Sequence, residues 1–353
     1  MKDRMHVLVL GVGGNVGQSI LKALRLCSHP CRIIGGCVSP LSMGLYVVDR
    51  AYVSPLANDP GFFDWLVRIC RIEQVDAVLS GAEPVLNVLA LRAEQLRECT
   101  GAIALVSHPE ALGIANDKLR TCEWLRDNGF NYPKYADATD GEAVAALIKE
   151  CGFPLIAKPR AGKGSHGIVI AHNSRELAPA LGRLGYVIEE YLGDESSEFT
   201  VGCFSDRTGH VRGAIAMSRE LLQGTTYRAV VGAFPEVRAE AVRIATALKP
   251  IGSCNVQLRV SRGRPTCFEI NLRLSGTTAL RARFGFNDVE AALRHFVLGE
   301  AAVDLPLVTQ GTALRYWNEI YIDAAAQAAL AQTGTLENSG RHHNLVEDFG
   351  VKP

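Results

Sequence analysis

The sequence predicts an α/β protein: a parallel sheet covered by helices in the first hundred-odd residues, then an α+β half built on antiparallel strands. Three observations predict it. Residues 7–10 are an apolar run that meets Gly11-Val12-Gly13-Gly14-Asn15-Val16-Gly17, after which Ile20, Leu21 and Leu24 recur at helical spacing; strand, glycine turn and helix in that order open a parallel unit. Strand and helix patterns then alternate as far as Val106. Far downstream, two alternating segments, 255–260 and 266–273, flank the Gly263 to Pro265 punctuation of a β-hairpin.

The composition bounds the function. A chain of 353 residues with 48% hydrophobic and 21% charged residues has enough material for two or three domains with large cores. Lys+Arg 37 against Asp+Glu 37 gives no net field to attract nucleic acid or anionic lipid, so neither is expected as a partner. No apolar stretch approaches the ~20 residues of a membrane span, and the first residues, Met1-Lys2-Asp3-Arg4-Met5-His6, run straight into a strand. A cytoplasmic protein is expected. The ten cysteines are scattered without a C-x-x-C pair, as free thiols rather than a metal or redox site would be.

The glycine turn 11–17 would allow close backbone approach to a ligand. The acidic residue of a dinucleotide site is poorly placed, however, because the next strand, 32–38, ends in Ser39-Pro40. A structural turn, or one touching a second substrate, fits better. Helix 61–74, strand 77–79, helix 85–99 and strand 102–106 continue the pattern. Glu83 follows its strand at the end where such sheets bind ligands.

Asn116-Asp117 gives a cap signal for a helix that ends near Gly129. A short strand at 153–159 ends in Lys158-Pro159, and the loop 160–167 carries Arg160, Lys163, His166 and three glycines, Gly162, Gly164 and Gly167, before another strand at 168–171. Such a loop can fold over phosphates with backbone N–H groups and cations, although an exposed hairpin would read the same way. Residues 186–192 and 198–203 are further strands. At the downstream hairpin, a turn centred on Gly263 pairs Gln257 with Glu269 and Asn255 with Asn271. One face then holds Val256, Leu258, Phe268 and Ile270; the other holds a carboxylate, amides and guanidinium groups. Hard oxygen donors at strand spacing suit Mg²⁺ with substrate phosphates, while an ordinary solvent face is the plainer alternative.

Taken in order, Asn116-Asp117-Lys118, Ile156-Ala157-Lys158-Pro159, the glycine loop, Ile188-Glu189-Glu190-Tyr191-Leu192, Glu198-Phe199-Thr200-Val201 and residues 257–273 resemble the ATP-grasp superfamily. The likeness is greatest to one half of the carbamoyl-phosphate synthase synthetase chain. The resemblance implies an ATP-grasp fold over 113–300, with a nucleotide lid at about 130–190, behind a Rossmann-like domain at 1–112. Residues 301–353 remain as a partly flexible extension. It implies ATP and Mg²⁺ as cofactors, with Mn²⁺ an acceptable substitute. Lys118, Lys158, Gly162, Lys163, Gly164, Ser165 and Gly167 would surround the phosphates. Glu189, Glu190 and Leu192 would surround the adenine, with Glu198 on the ribose. Gln257, Glu269 and Asn271 would hold the metal, and Arg273, with Lys158, would serve the reacting phosphoryl group.

Two departures stand out: Leu272 lies where the family usually has proline, and Asn255 where peptide ligases carry arginine. Only one such unit fits in 353 residues, so complete carbamoyl phosphate synthesis is not expected. The resemblance implies a carboxylate–amine or carboxylate–thiol ligase working through an acyl phosphate on small-molecule substrates, with a homodimer among the assemblies to be expected. Arg219, Arg228, Arg281 and Arg283 flank the site in sequence as candidates for an anionic acceptor. A nucleotide-binding protein without turnover is the rival reading. An NAD-dependent sugar-nucleotide enzyme is a weaker one, since no Tyr-x-x-x-Lys spacing occurs.

Overall fold

The computed structural model describes residues 4–162, 167–193, 197–338 and 343–345, the last three by backbone alone. The chain begins with β1 (Met5–Leu10), α1 (Asn15–Leu24), β2 (Cys31–Cys37), β3 (Arg50–Val53), α2 (Phe62–Ile72), β4 (Ala77–Ser80), α3 (Glu83–Thr100) and β5 (Ile103–Ala104). These strands are parallel in the order β3-β2-β1-β4-β5. Residues of β1 alternate between two cores, as a strand covered on both faces must. Leu8 and Leu10 pack with Phe62, Leu66 and Leu86 of α2 and α3, and Val7 and Val9 pack with Ile20, Leu21 and Leu24 of α1. Strand order reverses between β1 and β4, the position at which such sheets leave a crevice beyond the strand ends. The glycine turn after β1 and Gly81-Ala82 after β4 meet there. Gly11 has φ +78°, and a Cβ on Gly17 would lie 2.2 Å from the Gly11 carbonyl oxygen, so the turn closes only with glycine at both positions.

The middle of the chain forms α4 (Pro109–Ala115), α5 (Lys118–Asp127), β6 (Tyr135–Asp137), α6 (Gly141–Cys151), β7 (Leu155–Pro159), β8 (Val169–Ala171), α7 (Ser174–Leu177) and β9 (Tyr186–Glu190). Asp117 caps α5, accepting from the amides of Leu119 and Arg120, as its place before a helical repeat predicts. The four strands make an antiparallel sheet, β6-β9-β7-β8, whose own small core includes Leu147, Leu155, Leu177 and Ile188.

Next come β10 (Glu198–Ser205), β11 (Val211–Leu222), β12 (Thr225–Val231), α8 (Pro235–Leu248), β13 (Gly252–Ser261), β14 (Arg264–Asn271), α9 (Thr278–Arg283), α10 (Asp288–Ala292) and β15 (Gly311–Leu314). A six-stranded antiparallel sheet, β14-β13-β10-β11-β12-β15, results. Helix α8 covers one face through Val237, Ala241 and Ile244 against Val201, Val256 and Ile270. The other face is turned toward the four-stranded sheet and carries the polar residues considered below.

Beyond β15 lie β16 (Ile320–Ile322), α11 (Ala324–Thr333), β17 (Thr335–Glu337) and β18 (His343–Leu345). The stretch 312–322 thus holds two strands in different sheets, since β15 joins β12 and β16 pairs with β18. Strand β17 returns to the first sheet and pairs antiparallel with β3. Among the described residues no helix is long and apolar enough to cross a membrane.

The hairpin β13–β14 keeps half of its expected register. Asn255 faces Asn271 and Gln257 faces Glu269, but the pairing then shifts, with Leu258 opposite Cys267 and Arg259 opposite Thr266. Phe268 is the extra residue of a β-bulge. Cys267, fully buried, takes the core position expected for Phe268, and Phe268 turns to the polar face beside Glu269. The expectation that Phe268 belongs to the apolar face is thereby corrected. Its consequence is measurable by thermal or urea unfolding. Ile270→Ala, at a fully buried position, should cost about 2–5 kcal/mol, and Phe268→Ala clearly less; equal costs would contradict the bulge.

Candidate functional site

Two cavities lie end to end on the polar face of the large sheet. The first, about 360 Å³, is bounded by β10, β11, β13 and β14 below and by β7, β9 and the segment 190–192 above. Its apolar part is formed by Ile156, Ile170, Leu192 and Phe268, and its charged part by Lys118, Lys158, Glu189, Glu198, Arg219 and Glu269. Apolar side chains and charges lining one cavity suit a ligand that has both a planar base and phosphates. The second, about 410 Å³, lies between the large sheet and the switch point of the parallel sheet. The glycine turn, Ala82, Asn271, Arg273 and the loop 275–277 line it. Gln257, Glu269, Arg219 and Gly224 line both.

Lys158 and Glu189 form an ion pair of 2.7 Å with side chains only 6% and 1% exposed. Burial raises the Glu189 carboxyl above its ordinary range although Lys158 opposes this. Burial also pulls the Lys158 ammonium down, but Glu189 outweighs it and holds it up. Glu189 Oε1 finds no hydrogen-bond partner among the described residues. A buried, unsatisfied carboxylate oxygen is costly, and an incoming donor such as an exocyclic amine would satisfy it.

Lys118, at the start of α5, donates from Nζ to the Gly162 carbonyl at 3.1 Å. Arg160 ties the base of the following loop down through Asp117 at 2.7 Å and Asp137 at 3.1 Å. Burial favours the neutral form of Asp117, yet Arg160 and the capping amides hold its carboxyl below the ordinary value. Glu190 pairs with Arg262 at 3.1 Å. Glu198 is engaged at both oxygens, by Arg219 at 2.6 Å and Arg259 at 2.7 Å.

The metal candidates are hydrogen-bonded to one another. Gln257 Nε2 donates to Glu269 Oε1 at 3.3 Å, and Asn271 Nδ2 donates to the same oxygen at 2.8 Å. Burial acts against the Glu269 charge, but Lys118, Asn271, Arg219 and Lys158 prevail and keep the carboxyl below its ordinary value of 4.5. It is ionised at neutral pH. One carboxylate and two amide oxygens are hard donors that leave positions for water and phosphate, which fits Mg²⁺. No cluster of three His, Cys, Asp or Glu side chains exists among the described residues. Arg273 donates to Glu83 Oε1 at 3.3 Å; Glu83 thus orients Arg273 at the wall of the second cavity.

Most of the sequence-predicted residues converge. Lys118, Lys158, Gly162, Glu189, Glu190, Leu192, Glu198, Gln257 and Glu269 line the first cavity, and Asn271 and Arg273 the second. Gly167 lines neither; a Cβ there would meet the Tyr186 hydroxyl at 2.8 Å. Lys163, Gly164 and Ser165 lie outside the described residues. Of the flanking arginines, Arg219 reaches the site, whereas Arg228 pairs with Glu220 at the surface, Arg283 is exposed and Arg281 is fully buried against Asp288. Arg259, which lines the first cavity, and Thr200, which donates to Asn255 Oδ1 at 2.8 Å, are not among the sequence-predicted site residues. Their alternation with core residues on β10 and β13 is the available signal.

Comparison with known proteins agrees with this architecture. Residues 185–320 match the family described as ATP-grasp in the biosynthetic pathway with Ter operon, and residues 7–103 match the PylC-like N-terminal domain. The carbamoyl phosphate synthase large chain of Gemmatimonas aurantiaca is 24% identical over 333 residues, covering 86% of this chain and 29% of that protein. That of Brucella suis is 25% identical over 350 residues, covering 85% and 30%. The chain therefore spans less than a third of these relatives. N5-carboxyaminoimidazole synthetase of Staphylococcus aureus superposes with a TM-score of 0.69 at 15% identity, over 94% of this chain and 86% of that one. The biotin carboxylase domain dimer of Hydrogenobacter thermophilus 2-oxoglutarate carboxylase, solved with MgADP, ADP and bicarbonate, gives 0.64 at 18%, over 88% and 74%. L-amino acid ligase of Bacillus licheniformis gives 0.61 at 20%, over 84% and 74%. Two family matches laid along the chain in this order, and relatives similar over most of its length, make it a member of the ATP-grasp superfamily.

Proposed function

We propose that the chain is an ATP-dependent carboxylate–amine ligase. The observation that carries this reading is the shared wall: Gln257, Glu269 and Arg219 line both cavities. A terminal phosphoryl group at that wall would border a carboxylate held near Arg273. Nucleotide-binding relatives such as the S. aureus synthetase, solved with ADP, support the assignment of the first cavity.

In this reading Ile156, Leu192 and Phe268 sandwich the base, Glu189 Oε1 accepts from its amine, and Glu198 accepts from the ribose hydroxyls. Lys118 and Lys158 neutralise the phosphates. Gln257, Glu269 and Asn271 would hold Mg²⁺, which when bound supplies charge neutralisation between the phosphoryl oxygens. A carboxylate oxygen of the substrate attacks the γ-phosphorus, and the bond to the β-phosphate oxygen breaks with its electron pair leaving on ADP. Arg273 balances the acyl phosphate charge. The amine nitrogen then attacks the acyl carbon, phosphate leaves with the C–O bonding pair, and the nitrogen loses its proton. Positioning and charge neutralisation account for most of the chemistry asked of the protein. The hydroxyl and amide lining of the second cavity, with Thr226, Asn255, Ser275 and Thr277, favours a polar carboxylate over a large apolar one.

ADP release in the presence of Mg-ATP and pools of carboxylates and amines tests the reading. Release that depends on one member of each pool is expected. Nucleotide binding with no pool-dependent release would favour the non-catalytic rival. Mg-ATP should also protect the chain thermally, by about 2.7 kcal/mol at a hundredfold excess over Kd. An unmoved melting midpoint would remove the nucleotide assignment.

A further inference from the structure

Arg219 holds two groups that the proposed reaction needs. Its Nε and Nη2 donate to Glu198 Oε1 at 2.9 and 2.6 Å, and the same Nη2 donates to Gln257 Oε1 at 2.7 Å. The side chain is 10% exposed and sits where the two cavities join. In the proposed site Glu198 receives ribose hydroxyls and the Gln257 oxygen faces a divalent cation. A guanidinium that donates to a neutral amide oxygen coordinating a metal is brought close to a second cation, and the two repel one another unless an anion lies between them. A carboxylate with its several lone pairs can share donors; the single Gln257 oxygen is the contested group.

We propose that Arg219 is the residue that reads the terminal phosphoryl group: docked on Glu198 and Gln257 in the free site, it moves onto the γ-phosphoryl oxygens when a nucleoside triphosphate and its metal enter. This rests on the nucleotide reading of the first cavity and adds a discrimination between triphosphate and diphosphate. The diphosphate brings charge to Lys118 and Lys158 but offers Arg219 no oxygen at the junction. The triphosphate supplies both the anion that separates guanidinium from metal and the bidentate acceptor that a guanidinium prefers. Arg219 also faces the second cavity, so the move leaves it beside the oxygens that are transferred to the carboxylate.

Removal of Arg219 leaves Glu198 still paired with Arg259 at 2.7 Å, so no buried carboxylate is abandoned. Binding of Mg-ADP and of the β,γ-imido analogue of Mg-ATP is to be measured by calorimetry on the wild-type chain, Arg219→Met and Arg219→Lys. Arg219→Met should bind Mg-ADP within about twofold of wild type and lose about tenfold or more on the triphosphate analogue, with Arg219→Lys recovering part of that loss. A change of less than fivefold in the ratio of the two affinities overturns the proposal, whether both affinities fall together or neither moves. If Arg219→Met does not fold, the same ratio in Arg219→Lys decides: a drop of threefold or more supports the proposal and a smaller one overturns it. Absence of any nucleotide binding to the wild-type chain overturns the ligase reading and this inference together, whereas intact wild-type binding with an unchanged ratio overturns this inference alone.

Discussion

Glu269→Gln should lower substrate-dependent ADP release by about 10²–10³-fold or more, the scale on which removing one electrostatic group from a preorganised site acts, with the chain still folded and its thermal midpoint at neutral pH lowered only by the stabilisation that the ionised carboxylate supplies. The substitution keeps volume and strand pairing with Gln257 and removes the one formal negative charge among the three metal candidates. The pH dependence gives a second check. The folded carboxyl titrates below 4.5, so its ionised form contributes stability above that value and loses it as pH falls through the lower folded one. The Gln variant should lack that acid-sensitive component. Full turnover in Glu269→Gln would show that the amides and phosphates alone hold the metal, or that no metal acts there.

Arg281→Met should cost about 3–5 kcal/mol of stability, because it removes one partner of a buried pair. Both side chains are 0% exposed and lie 2.5 Å apart. Arg281 also donates to Ser275 Oγ at 3.0 Å and fits only because position 202 is glycine, where a Cβ would lie 2.8 Å from its Nη1. The double variant Arg281→Met, Asp288→Asn should regain a substantial part of the loss, since no charge is then left without a counterion. Urea unfolding of the wild-type chain and the two variants measures this. A loss under about 1 kcal/mol in the single variant would mean that water reaches Asp288. Arg281 thus stabilises the loop that carries Ser275 and Thr277 rather than meeting an acceptor, contrary to its place in the sequence beside Arg283.

The alternation of residues 255–260 and the Gly263 punctuation made the pairing of Gln257 with Glu269 legible, because side-chain period and turn position together determine register. The bulge was less so. Its trace is the adjacent pair Cys267-Phe268, two apolar residues where strict alternation allows one, and only packing decides which of them enters the core. That Lys118 and Lys158 line one cavity could be read from motif order. The role of Arg219 could not, because an arginine on a half-buried strand has the same pattern whether it meets solvent or two buried acceptors. The split of 312–322 into two strands was also hidden, since periodicity reports faces and not which sheet a strand joins. The pairing of β17 with β3 depends on contacts such as Glu337 with Arg50, far beyond any local pattern.

That last pairing has a bearing on how the chain is made. Strand β3 is synthesised before the strand that covers its outer edge, which follows about 280 residues later. At roughly 5–20 residues per second, the nascent first domain would present an unpaired backbone edge for on the order of 15–60 s. Such an edge is a template for pairing with other chains. Translation speed, and whatever shields the nascent chain during that interval, therefore bear on the yield of native protein independently of its final stability.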